Sequence, residues 1–191
     1  MMLQTDVPQL SRKNVGVLLE RHGILLAFVV CMIGFSMASD RFMGLDNVMS
    51  VLRQASVIGT MALGVTIVVI GRNLDLSVGS MLSFATVLVV DLHDKVGPAQ
   101  AILIMYFFTL LIGCLNGFLV GFLRLNSLIV TLGMLSAIQG VTLIYTGGQN
   151  VDIANQDQAW FAFFGRGEVF GIGTPILIFL GLSVVFGIVL T

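Results

Sequence analysis

Six stretches of this chain run for fifteen residues or more without a charged side chain: His22–Ser39, Gln54–Gly71, Leu76–Val90, Val96–Leu123, Leu125–Val151 and Val169–Thr191. A hydrocarbon core about 30 Å thick takes about 20 mostly apolar residues to cross as a helix. Backbone N–H and C=O groups cannot stay unpaired in lipid, so apolar runs of this length predict helices. The pattern is that of an all-α, polytopic membrane helix bundle with about six transmembrane segments. Chemistry in such a chain rests on the few polar residues the bilayer tolerates.

Polar residues also punctuate the runs. Asn47 stands before the second, Asp75 and Ser77 before the third, and Asn126–Ser127 before the fifth, each able to accept from unpaired N–H groups at a helix start. Pro98 and Pro175 suit first turns, where a missing N–H costs nothing. Gly147–Gly148 can close the fifth helix in a left-handed conformation.

The third run is the shortest, and the polar knot Gly71-Arg72-Asn73-Leu74-Asp75-Leu76-Ser77-Val78-Gly79 separates it from the second. Fifteen residues reach only about 22 Å as a helix. The knot therefore predicts a broken or short helix pair around residues 71–79, with irregular backbone at membrane depth facing a cavity or buried in protein. An ordinary cytoplasmic turn between two tilted spans, capped by Asp75 or Ser77, is the plainer alternative. Asp75 can pair with Arg72 in either arrangement.

Hydrophobic residues make up 57% of the chain and charged residues 10%, against about 25% in a soluble domain. The net charge of −1, with no basic patch, argues against a nucleic-acid partner. Arg12, Lys13 and Arg21 precede the first run, so residues 1–21 are expected to be a cytoplasmic N-terminal segment and 22–191 the transmembrane domain. Alternation then places Arg72 and Arg124 inside, and Asp40–Asn47, Asp91–Gly97 and the long connection 149–174 outside. That connection carries Asp152, Asp157 and Glu168 beside Trp160, Phe161, Phe163, Phe164 and Phe170. It predicts a short helix lying at the membrane interface, or a docking surface for an extracytoplasmic partner. No cleavable signal peptide is evident. The run Pro175–Thr191 has no flanking anchor, which leads us to expect a chain incomplete at its C-terminus.

Cys31 and Cys114 sit in apolar runs without a CxxC or a histidine neighbour, and read as small buried hydrophobes rather than a disulfide or metal site. Gly113, Gly117 and Gly121 lie four apart and read as a helix-packing stripe. Asn116, one position off it, can hydrogen-bond across helices or line a path for a polar solute. Thr131, Gln139, Thr142 and Tyr145 keep the fifth helix polar on part of its surface, either as interhelical glue or as solute contacts. Ten methionines spread over the spans need no cofactor to explain them.

No Gly-x4-Gly-Lys-Ser/Thr loop is present, and the lysines are Lys13 and Lys95 alone, so P-loop ATP hydrolysis is excluded for this chain. No His-Glu-x-x-His or Gly-x-Ser-x-Gly occurs, and His22 and His93 lack ligand spacing. Neither a catalytic residue, a metal nor a cofactor is called for. The carboxylate relays and arginine ladders of pumps and voltage sensors are missing too.

The stretch Leu74-Asp75-Leu76-Ser77-Val78-Gly79-Ser80 resembles the hydrophobic-Asp-Leu-Ser-Val-Gly phrase of permease subunits in carbohydrate ABC importers, the ribose, xylose, galactose, arabinose and autoinducer-2 group. Gly113-Cys114-Leu115-Asn116-Gly117, Asn126-Ser127-Leu128-Ile129-Val130-Thr131-Leu132-Gly133-Met134 and Leu143-Ile144-Tyr145-Thr146-Gly147-Gly148-Gln149 look like the same family in the same order. The resemblance covers essentially the whole chain and corresponds to the family's N-terminal part. It implies a multi-pass permease of the bacterial inner membrane that pairs with a second permease copy, as a homo- or heterodimer. It further implies a periplasmic sugar-binding protein as donor and a separate cytoplasmic ABC ATPase as motor. Arg72 and Asn73 replace two glycines usual in the family, and the family's ATPase-contacting segment belongs to its later part. Transport needs a polar path, for which Asn73, Asp75, Ser77, Asn116 and Gln139 are the candidates. A non-transporting scaffold or regulatory remnant is the alternative from another class; an ion-coupled transporter would need more carboxylates than Asp75 supplies.

Overall fold

A computed structural model of the chain describes residues 12–154 and 162–190. Six long helices correspond to the six uncharged runs: α1 Arg12–Ala38, α2 Leu45–Ile70, α3 Val78–Val96, α4 Pro98–Gly117, α5 Ser127–Thr146 and, after a short helix α6 at Ala162–Arg166, α7 Thr174–Leu190. The protein is an all-α polytopic membrane protein. Among the described residues, α2, α5 and the continuous helix Pro98–Phe122 are long and apolar enough to cross a bilayer. His22–Ala38 and Thr174–Leu190 are shorter apolar helices. The helix α3 is 19 residues long but carries Asp91, Asp94 and Lys95 in its last turns.

The chain divides into two compact units, Met1–Val51 and Leu52–Thr191, with the boundary inside α2. In the first unit, helix α1 already begins at Arg12, so residues 12–21 belong to the same helix as the apolar run. Helix α2 starts at Leu45 rather than after Asn47. Asn47 turns its side-chain amide back to the Phe42 carbonyl, at 2.7 Å, and so fastens the preceding turn instead of capping the helix.

The second unit is built on α3, packed against both α4 and α5. Its dry core is small: Phe84, Leu88 and Ile138, with Met81, Leu92, Met105, Ile112 and Met134 partly buried around them. The buried polar residues of the described chain, which include Ser77, Ser80, His93, Asn116 and Thr131, outnumber the buried apolar ones. Large apolar side chains such as Leu103, Phe107, Ile129, Ile144 and Ile188 lie on the outside. This inversion follows from the solvent, because lipid leaves apolar side chains no reason to turn inward while polar groups must pair within the bundle. Cys31 and Cys114 follow it: both are free thiols on the exposed apolar surface, not buried.

The ends of α5 carry their local signals. Asn126 Oδ1 accepts from the N–H groups of Leu128 (3.0 Å) and Ile129 (3.4 Å). At the far end Gly147 takes φ of 61°, and Gly147 N and Gly148 N donate back to Ile144 O and Leu143 O. That pairing is the Schellman closure, which needs the left-handed backbone that glycine adopts freely. Asn126→Ala is expected to cost about 1 kcal/mol of stability through loss of the cap. Thermal unfolding of the purified protein in detergent checks this.

The described part of the connection after α5 holds α6 and a two-stranded antiparallel hairpin, β1 Glu168–Val169 and β2 Ile172–Gly173, which leads into α7. Asp157, Trp160 and Phe161 lie outside the described residues. Arg53 of α2 pairs with Glu168 of the hairpin. A Cβ added at Gly59 would collide with the Phe179 ring, so this glycine permits α2 and α7 to approach there.

Candidate functional site

Between α2 and α3 the chain runs without regular structure from Gly71 to Ser77. The loop is fastened from three sides. Leu74 N donates to Ser127 Oγ at 3.3 Å, and Leu74 O accepts from Thr131 Oγ1 at 3.4 Å, both in the first turns of α5. Within the loop, Asp75 Oδ1 accepts from Ser77 N (2.8 Å) and from Ser77 Oγ (2.6 Å). Ser77 is fully buried and immediately precedes α3, but its hydroxyl does not cap the helix. It is engaged with Asp75 instead.

From the third side comes Asn116 of α4, whose Nδ2 donates to Ser77 Oγ at 3.1 Å. The hydroxyl of Ser77 has one proton, and it goes to the Asp75 carboxylate, so towards Asn116 the oxygen can only accept. The order is therefore Asn116 N–H to Ser77 O–H to Asp75 carboxylate. That directionality turns the amide so that its oxygen, Oδ1, points away from Ser77; this buried atom has no hydrogen-bond partner. Asn116 itself is only 7% exposed. Asn116 stands six positions before Phe122, the end of the continuous helix Pro98–Phe122.

The knot separates two cavities. One, of about 330 Å³, is walled by the last turns of α2, by Asn73, Leu74 and Asp75, by the Gly113, Asn116, Gly117 and Gly121 side of α4, and by Ser127 and Thr131. The other, of about 280 Å³, is lined by Asp75 and Ser77 with Met61, Met81, Met105 and Thr109 among its walls. Asp75 borders both. The first cavity is at the small end of the range for small-molecule sites.

The glycine stripe borders this cavity. A Cβ added at Gly113, Gly117 or Gly121 meets nothing within 4 Å, so within the described chain no neighbouring helix packs on the stripe. Just beyond Gly117 the helix widens into a single π turn, Phe118–Phe122, which includes the cavity residues Val120 and Gly121. Such turns are rare and cluster at functional sites.

Of the five path candidates, the fold gathers Asn73, Asp75, Ser77 and Asn116 around the knot. Gln139 is not with them. It is exposed, two turns beyond Thr131 on α5, while its neighbour Ile138 fills the dry core. Asp75 and Arg72 do not pair; Arg72 sits at φ of 59° on the exposed side of the turn. Ser127 and Thr131, which hold the Leu74 backbone, are readable in the sequence only as a cap and a generic polar residue.

A second polar group lies at the opposite end of α3. Lys95 Nζ donates to both carboxylate oxygens of Asp91 at 2.7 Å, and the Tyr145 hydroxyl of α5 bonds to the same carboxylate. Asp94 accepts from His93 Nδ1 at 2.8 Å and from Ala154 N at 2.7 Å, which ties the start of the long connection to α3. The spacing of Asp91 and Lys95, four apart, was the available signal for this cluster.

Residues 47–191 match a family described as the branched-chain amino acid transport system / permease component. The chain belongs to that family. Among curated relatives, the L-arabinose ABC transporter permease protein AraH of Azospirillum brasilense is 32% identical over 188 residues, 96% of this chain and 53% of that protein. The ribose import permease protein RbsC of Escherichia coli is 32% identical over 160 residues, 81% of this chain and 49% of its own length. The ribose import permease protein RbsC of Haemophilus influenzae is 29% identical over 180 residues, 93% and 55% respectively. The chain thus spans about half the length of the curated relatives it matches. No solved structure matches it. A cavity bordered by hydrogen-bonding groups is compatible with membership of a permease family. Among the described residues no group of three or more His, Cys, Asp or Glu could hold a metal ion.

Proposed function

We propose that this chain is a transport-path subunit of an ATP-binding-cassette importer in the bacterial inner membrane, and that it conducts a sugar or sugar-like solute. The single observation that supports this most is the cavity between the Asn73–Ser77 loop, α4 and α5. There buried Asn116 and Thr131 and half-buried Asn73, Asp75 and Ser127 border a space of solute size, in a family of permease components. The relatives are named for ribose, L-arabinose and autoinducer 2, and pentoses are accordingly the first solutes to test.

In this proposal the residues of the path are Asn73, Asp75, Ser77 and Asn116. Irregular backbone lining a cavity is how membrane transporters expose polar groups without leaving them in lipid. The cavity is at the end of the bundle that carries Arg72 and Arg124, which the positive-inside rule puts on the cytoplasmic side. Energy would come from a separate cytoplasmic ABC ATPase, and solute from a periplasmic sugar-binding protein. A second permease copy would complete the path.

Cells deleted for the gene are expected to lose uptake of ¹⁴C-labelled D-ribose or L-arabinose, and to regain it from a plasmid copy. The tagged protein should also co-purify with an ATPase subunit. Unchanged uptake of both pentoses together with no ATPase in the purified complex would overturn the importer reading and favour a non-transporting scaffold.

A further inference from the structure

The hairpin before α7 carries a side chain that the transport path does not use. Its strands are joined by the two-residue turn Phe170-Gly171, with Val169 paired to Ile172 across it. Both turn residues have positive φ, 54° and 77°, as a type I′ turn requires. Asparagine or glycine suits the first position of such a turn, whereas a phenylalanine holds the left-handed backbone against its own Cβ. The chain offers the ring nothing in return: Phe170 is 100% exposed. Strain kept at an exposed apolar residue points to a contact outside the chain.

The tip is held firmly. Arg53 of α2 pairs with Glu168 at the base of the first strand. Its side chain lies so close to the second strand that a Cβ added at Gly173 would come within 2.7 Å of Arg53 Nε. Thr174, which is buried, donates its N–H to Gly167 O at 2.9 Å. Its hydroxyl lies 2.5 Å from Phe163 O and 2.8 Å from Gly167 O.

The same ion pair sets the level of the hairpin. Arg53 is the last charge before the uncharged run Gln54–Gly71 of α2, and Glu168 the last before the run Val169–Thr191 that holds α7. Two boundaries between charged and apolar sequence therefore meet in one contact. Neither charge is tolerated deep in hydrocarbon, so the pair sits at its edge. Phe170 follows Glu168 on the apolar side, and Phe163 and Phe164, half exposed and edge to face at 6.0 Å, precede it.

We propose that the hairpin is a lipid anchor, with the Phe170 ring inserted among acyl chains just beneath the headgroups. The bilayer is the occupant because the ring is apolar and stands at the hydrocarbon edge. A docking site for a transient partner would leave the ring in water between encounters, whereas lipid is always there to take it. Transfer of the ring from water to the acyl region offsets the strain of the turn. Since the hairpin runs directly into Thr174, the anchor also fixes the depth of the first turn of α7. The proposal does not depend on which solute the chain carries, or on whether it carries one.

Trp160 is the single tryptophan of the chain, so Phe170→Trp combined with Trp160→Phe places one fluorescent reporter at the tip. The full chain carrying both substitutions is reconstituted in phosphatidylcholine vesicles brominated either near the headgroup or near the acyl-chain end. Bromines near the headgroup are expected to remove about half of the emission or more, and those near the chain end clearly less. Acrylamide in the water should quench about fivefold less than it quenches N-acetyltryptophanamide. Quenching by acrylamide equal to that of the free indole overturns the proposal, and so does stronger quenching from the chain ends than from the headgroup side. Emission indifferent to both lipids and to acrylamide overturns it too, and puts the ring under a second copy or another protein. Should the tryptophan variant fail to reach the membrane, Phe170→Cys with Cys31→Ala and Cys114→Ala carries a nitroxide at the same place. Its collisions with dissolved oxygen should exceed those with a water-soluble nickel chelate; the reverse order, or few collisions with either, overturns the proposal.

Discussion

Gly117→Phe is expected to stop solute uptake while leaving the protein as stable as the parent. Gly117 is in the wall of the 330 Å³ cavity, in the middle of the Gly113–Gly121 stripe, and an added Cβ there meets nothing within 4 Å. The ring therefore enters open space instead of a packed contact. Replacing glycine inside a helix also favours the helical state, by up to about 1 kcal/mol. Uptake should fall by about tenfold or more, which corresponds to about 1.4 kcal/mol on the rate-limiting barrier. Thermal unfolding in detergent should shift little or upward. The contrasting outcome is informative: if the stripe is a packing face for a second copy, the same substitution should split the purified complex, and size-exclusion chromatography with light scattering would show it.

Asp75→Ala should have the opposite profile, with uptake and stability lost together. One carboxylate oxygen accepts from both Ser77 N and Ser77 Oγ, and through that hydroxyl from Asn116. Removing it strands two donors on a fully buried residue and loosens the junction of α4 with the start of α3. A stranded donor costs about 1–3 kcal/mol, so the combined loss from two is expected to be about 2–6 kcal/mol. Asp75→Asn keeps an oxygen where Ser77 donates and should recover most of the stability. Measured side by side by unfolding and by uptake, the two variants separate the geometry of the knot from its charge. Equal stability of the alanine variant and the parent would show that the Ser77 contacts do not hold the loop.

Both results depend on contacts that were legible in the chain to very different degrees. The knot at 71–77 is visible because charge interrupts an otherwise apolar pattern, and lipid tolerates such an interruption only for a reason. Asn116 is visible as a polar residue in a long uncharged run. That Asn116 meets Ser77 across 39 residues of chain, and that Thr131 rather than a cation secures the loop, depends on how α3, α4 and α5 rotate about their axes. Lipid-facing helices carry weak rotational signals in their sequences, since apolar side chains are as comfortable outside as inside. For that reason Gln139, polar and on the right helix, is exposed and outside the cavity wall, and both cysteines fall on the exposed surface. The glycine stripe shows the same limit: spacing of four defines a smooth face but not what the face meets.

Length, apolarity and the position of each polar residue are enough to establish a membrane bundle, its helices, the caps of α5 and the break before α3. These are properties of short segments and of the solvent they must satisfy. The pairing of Asp75, Ser77 and Asn116 and the cavity beside them arise only when separate helices settle against one another. Hydrogen bonds reach across about 3 Å, and only the packed bundle decides which groups come that close.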